Sequence, residues 1–163
     1  MARKFSDLTP EEVLRVAIGV EIANGERLRT FADMFSQQSP EASSVFKEMA
    51  EEEDQHKAVL VARYAQIYAK LADPLPESEI SDVLEAHDLQ DAEHFIFDDM
   101  DARAALKAVL AAENVAMDFY RRAVPTAATD ELRAVYAELA DGEADHVRRV
   151  QERLAAQGMR DAG

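Results

Sequence analysis

Glu53 and His56 recur ninety positions later as Glu143 and His146, and the frames around them match. Val45-Phe46-Lys47-Glu48-Met49-Ala50 leads into the first pair, and Val135-Tyr136-Ala137-Glu138-Leu139-Ala140 leads into the second. A spacing of three puts a carboxylate and an imidazole on one face of a helix. Both pairs lie in sequence that favours helix over strand, since only five glycines and five prolines stand in the whole chain.

The chain reads as four long helices, over about 10–37, 40–72, 101–124 and 129–156. Thr9-Pro10-Glu11-Glu12 supplies an N-cap, a first-turn proline and a capping-box glutamate. The stripe Leu14, Ala17, Ile18, Glu21, Gly25, Leu28, Phe31 and Phe35 then recurs at helical spacing, with Glu21 in its middle. Ser39-Pro40-Glu41 repeats the cap-and-proline start for the second helix. Its inner stripe runs from Phe46 and Met49 through Glu53 and His56 to Leu60, Tyr64, Ile67 and Leu71, and Pro74 and Pro76 end it. Residues 73–100 read as a crossover long enough to run the height of a bundle, with a short amphipathic helix around Ile80, Val83, Leu84 and His87. The third helix starts near Asp101 and turns Leu106, Val109, Glu113 and Tyr120 inward. Thr129 caps the fourth, whose inner stripe includes Tyr136, Leu139, Glu143, His146 and Val150. The tail from Gln157 is expected to fray.

If the first two helices pair antiparallel, Glu21 lies sixteen residues before the turn at Gln37 and Glu53 sixteen after it. At 1.5 Å per residue both stand about 24 Å up the bundle. Glu113 and Glu143 lie fifteen residues either side of Ala128. Four carboxylates therefore arrive at one level on inner faces, where unpaired charge is costly. Two divalent cations would balance four carboxylates, with His56 and His146 as neutral nitrogen donors. One Glu from each of two helices and Glu-x-x-His from each of the other two is the di-iron or di-manganese formula of four-helix bundles. An oxygen-rich set with two imidazoles suits iron(II), or manganese(II), better than four-coordinate zinc.

The set Glu21, Glu53-x-x-His56, Glu113, Glu143-x-x-His146 resembles the ferritin-like di-iron carboxylate superfamily over about residues 10–156. The short turns, the long connector and Tyr120 make the chain look most like the rubrerythrin and erythrin branch, without a rubredoxin domain, or bacterioferritin-type subunits. The resemblance implies an all-α ferritin-like bundle of two antiparallel helix pairs joined by the crossover, in one domain over 1–163. It also implies that Glu53 and Glu143 bridge two iron ions, with Glu21 and Glu113 as terminal ligands. The activity implied is oxidation of iron(II) by hydrogen peroxide or O2, serving peroxide detoxification or iron handling, with an external electron donor if the protein is a peroxidase. Rubrerythrins usually carry a further carboxylate about one turn beyond the third-helix glutamate, where this chain has Ala116 and Met117. A ferritin-type storage or ferroxidase subunit, a di-metal oxygenase acting on an organic substrate, and a metal-free bundle are the alternatives.

Tyr120 and Tyr136 are expected in the core with hydrogen-bonded hydroxyls, Tyr120 being the one placed to touch a ligand carboxylate. Glu51, Glu52, Asp54, Asp141 and Asp145 leave the inner stripe and are expected on the surface. His87 and His94, with Asp91 and Asp98, are expected on an exposed face of the crossover. The formal charge of -15 argues against nucleic acid and anionic membrane as partners. No run is long and apolar enough for a membrane span, and the start lacks the apolar core of a signal peptide. The absence of cysteine excludes disulfides and thiolate ligands. A cytoplasmic protein that forms a homodimer or larger homo-oligomer is expected.

Overall fold

In the computed structural model, residues 3–76 and 101–162 are described, with side chains to residue 158. The four long helices are α1 (Pro10–Met34), α2 (Pro40–Tyr68), α3 (Ala102–Ala123) and α4 (Asp130–Ala162), with short 3-10 turns at Phe5–Asp7 and Val124–Thr126. The fold is an all-α ferritin-like bundle. The short helix expected around Ile80 to His87, and the surface placement of His87 and His94, lie outside the described residues.

Local chemistry starts most of these helices as their sequences suggest. The Thr9 hydroxyl accepts from Glu12 N–H at 3.2 Å while Glu12 accepts from Thr9 N–H at 2.9 Å, closing a capping box. Asp101 Oδ1 accepts from Ala104 N–H at 2.7 Å, and the Thr129 hydroxyl accepts from Leu132 N–H at 3.1 Å. Ser39 departs from expectation, because its side chain makes no capping hydrogen bond. Instead the Ser43 hydroxyl donates to the Ala32 carbonyl at 2.6 Å and ties the start of α2 back to α1.

Helix α2 ends six residues before Pro74. Ala69 adopts φ 52 and ψ 33, a left-handed cap, and its N–H still bonds to the Ala65 carbonyl. The chain then turns back along α1: Leu75 N–H donates to the Arg15 carbonyl at 3.1 Å, and Arg15 pairs with Asp73 at 3.0 Å. Gly19 permits this approach, since a Cβ there would overlap the Leu75 carbonyl oxygen. Leu71, expected on the inner stripe, consequently lies outside the helix and is 90% exposed. At the other end α4 continues to Ala162, where a frayed tail is the expectation.

Each helix packs on its hairpin partner, and α1 also meets α3 while α2 meets α4. The apolar core forms two layers. One gathers Leu14, Ile18, Leu60, Tyr64, Phe119, Leu132 and Tyr136; the other gathers Leu28, Phe31, Phe46, Met49, Leu106 and Val150. Glu21, Glu53, Glu113, Glu143 and His146 are buried members of neither layer. Along every helix they fall between the two sets, so a polar layer crosses the bundle at mid-height.

Candidate metal centre

Helical period alone puts Glu21 on α1, Glu53 and His56 on α2, Glu113 on α3, and Glu143 and His146 on α4 towards the axis. The structure brings all six together. Donor atoms of Glu21, Glu53, His56 and Glu143 lie within 4.8 Å of one another, and so do those of Glu53, Glu113, Glu143 and His146. Glu53 and Glu143 belong to both groups, as a pair of bridging ligands requires.

Each imidazole turns Nδ1 into the cluster. His56 Nδ1 lies 3.2 Å from Glu53, and 3.5 Å from both Glu21 and Glu143. His146 Nδ1 lies 3.2 Å from Glu143 and 3.3 Å from both Glu53 and Glu113. One nitrogen cannot donate one proton to three oxygens with good geometry. Accordingly Glu21 Oε2, Glu53 Oε1 and both Glu143 oxygens are buried without a hydrogen-bond partner among the described residues. Buried carboxylate oxygens left in this way carry a large desolvation cost. Divalent cations among these oxygens would remove that cost, and a carboxylate-rich set with two imidazoles fits iron(II) or manganese(II). The residues therefore fit the two-ion centre.

The electrostatics express the same conflict. Burial, then the charge of Glu113, pushes the Glu143 carboxyl up to about 8. Burial, then Glu21, raises Glu53 well above the carboxylate range. For His56 burial works against the charge, but the carboxylates of Glu143, Glu21 and Glu53 outweigh it and push the imidazole up to about 12. His146 is raised in the same way against its burial, chiefly by Glu113 and Glu143. Without metal, protons on these groups hold the charges together.

Around the cluster, Tyr120 donates its hydroxyl to Glu21 Oε1, from α3 across to α1, and leaves Oε2 for the cluster. Burial, then the charges of Glu21 and Glu143, holds the tyrosine hydroxyl well above its ordinary range, so it stays a donor. Tyr120→Phe is expected to lower the stability of the metal-free chain by about 2 kcal/mol, the worth of a hydrogen bond to a charged group, as read by denaturant unfolding. A change below a few tenths would mean that this bond does not fix Glu21. Tyr136 is buried as expected, but its hydroxyl has no partner among the described residues.

Glu52 is not the bystander its place off the inner stripe suggests. Its Oε2 lies 2.9 Å from His146 Nε2, and its Oε1 accepts from Arg149 at 2.8 Å. Burial alone would raise the Glu52 carboxyl, but Arg149 and His146 outweigh it and hold it below the ordinary range. A carboxylate at this place fixes the orientation of the imidazole and its tautomer, as the outer partners of metal-ligating histidines do. The available signal was its position directly before Glu53, but the distance between α2 and α4 decides the contact. Asp54 and Asp145 are on the surface as expected, paired with Arg29 and Arg148.

A four-helix bundle with two linked carboxylate and histidine groups at mid-height defines the di-metal class of ferritin-like proteins. The sequence matches the rubrerythrin family over residues 12–154, and the chain belongs to that family. A hypothetical protein from Pyrococcus furiosus is similar in fold, with TM-score 0.71, 23% identity, and coverage of 93% of this chain and 92% of that one. An uncharacterised conserved protein from Magnetospirillum magnetotacticum MS-1 is similar too, with TM-score 0.69, 25% identity, and coverage of 91% and 95%. No curated protein matches the chain. Membership of the rubrerythrin family points to a di-iron protein.

Proposed function

We propose that the protein is a dinuclear iron oxidoreductase of rubrerythrin or erythrin type that oxidises iron(II) with hydrogen peroxide or O2. The observation that carries this reading is the sharing of Glu53 and Glu143 between two buried donor groups. When bound, two iron(II) ions held side by side supply two electrons to one oxidant. Glu53 and Glu143 would bridge the pair, Glu21 with His56 would complete one position, and Glu113 with His146 the other. Tyr120 orients Glu21, and the Glu52 and Arg149 pair orients His146. The apolar layers on either side exclude bulk water from the carboxylates. Ala116, fully buried one turn beyond Glu113, leaves that position without a seventh ligand. Repeated turnover of peroxide would draw electrons from an external donor, since the chain has no cysteine to hold a thiolate-ligated redox centre.

The discriminating experiment loads the metal-free protein with iron(II) anaerobically and mixes it separately with one equivalent of peroxide or O2 while ferric absorbance is followed. The expected result is ferric absorbance formed with peroxide or O2 in the absence of any organic substrate, saturating at two irons per chain. Continued iron uptake beyond two per chain during reaction with O2 would replace this reading with a storage role. No reaction with either oxidant until an organic substrate is added would replace it with an oxygenase.

A further inference from the structure

The two copies of the internal repeat differ at several positions, and one of these is the residue directly before each shared glutamate. Glu52 precedes Glu53 on α2, whereas Gly142 precedes Glu143 on α4. Each of these residues faces the histidine of the opposite half. Glu52 reaches Nε2 of His146 at 2.9 Å, and Arg149 in turn holds Glu52 at 2.8 Å. At the matching place on α4, a Cβ on Gly142 would sit 3.3 Å from Cε1 and 3.4 Å from Nε2 of His56, inside ordinary van der Waals contact. The helices approach too closely there for a carboxylate side chain to reach around the ring. The two imidazoles also differ in exposure: the His56 side chain is 19% accessible and that of His146 is fully buried. They stand nearly parallel, with centroids 5.9 Å apart across the α2 and α4 interface.

Resting on the dinuclear reading above, we propose that the two cation positions are inequivalent. The position formed by Glu113, His146 and the shared glutamates binds tightly, and the one formed by Glu21, His56 and the same glutamates is exchangeable. Glu52 and Gly142 set this difference as positioning residues. A histidine held at its outer nitrogen by an anion is oriented before the metal arrives and is a more basic ligand, so binding there costs less ordering. Among the described residues no carboxylate restrains the outer nitrogen of His56, which borders solvent, and its ring position depends on the space that glycine leaves. The exchangeable position is then also the one through which cations enter and leave the buried cluster.

The test uses the metal-free full-length chain and cobalt(II) alone, titrated anaerobically by calorimetry and visible absorbance. Wild type is expected to bind two equivalents in resolved steps. Glu52→Ala should weaken the tighter step by about 10- to 100-fold, the usual effect of removing an outer-shell partner, and leave the weaker step within about twofold. Glu52→Gln, whose amide oxygen can still accept from His146, should recover most of the loss, which a general loss of packing would not allow. Gly142→Ala should do the converse, weakening the second step by about tenfold or more while sparing the first. Two indistinguishable steps in wild type, or both variants acting on one step, would overturn the inequivalence and leave the dinuclear reading standing. Binding of fewer than two equivalents by wild type would overturn both.

Discussion

Glu143→Gln is expected to abolish binding of both cations, whereas Glu113→Gln should cost only one. Glu143 and Glu53 each belong to both donor groups, while Glu113 belongs to one. Glutamine keeps the shape of the side chain but lacks the charge and the second oxygen that a bridge needs. The consequence for stability is large. A ligand present at a thousand times its dissociation constant adds about 4 kcal/mol to the native state, and a chain of this size gains about 2 to 4 °C per kcal/mol. Saturating metal should therefore raise the wild-type melting temperature by at least about 8 to 16 °C, the effect of one such cation, and that of Glu143→Gln hardly at all. Without metal the two proteins should lie within about 1 kcal/mol of each other, because burial and Glu113 already keep Glu143 protonated towards a pKa of about 8. A metal-dependent rise in the variant equal to that of wild type would show that Glu143 is not shared. Differential scanning fluorimetry with and without iron(II), under anaerobic conditions, reads both quantities.

Metal binding should release protons and strengthen steeply with pH. In the metal-free fold His56 is pushed up to about 12 and His146 is also raised, so both carry a proton at neutral pH that a cation must displace. One histidine proton released per ion makes each affinity rise by about tenfold per pH unit between about pH 6 and pH 8, about 100-fold for the two-ion constant, and a further proton from Glu143 would steepen it. Calorimetry in buffers of different ionisation enthalpy counts these protons directly. A slope near zero would contradict the histidine assignment. Stability of the metal-free chain should move the other way. These groups have folded pKa values above their unfolded ones, so their stabilising protons are fully present at low pH. For Glu143 that contribution is lost between about 4.5 and about 8, and for His56 it is lost between about 6.5 and about 12. Metal-free protein should therefore weaken as pH rises through neutrality, while metal-loaded protein does not.

The convergence of six residues was legible because it depends on two regularities that a single sequence carries. One is the helical period that points Glu21, Glu53, Glu113 and Glu143 inward; the other is their equal distance from two short turns. Tyr120 was legible as a neighbour of the cluster, though its bond runs to Glu21 on α1 and not to its own helix. Distances between helices were not legible. Glu52 looks like surface charge by periodicity, and only the spacing of α2 from α4 makes it the partner of His146 and Arg149. Gly142 reads as an ordinary glycine until His56 is placed against it. The end of α2 was misplaced for a similar reason. Pro74 and Pro76 are local stop signals, but the return of the chain along α1, fixed by Arg15, Asp73 and the gap at Gly19, breaks the helix at Tyr68. Local propensity yields here to a contact between residues fifty-eight apart in sequence.

If the proposed function holds, one chain takes two cations between two shared carboxylates, Glu53 and Glu143. Anaerobic iron(II) titration of the metal-free protein, with bound metal counted per chain, tests it most directly. Wild type should saturate at two ions per chain and Glu143→Gln should bind none. Saturation at one ion, or stoichiometric binding of two that survives the loss of Glu143, would contradict it.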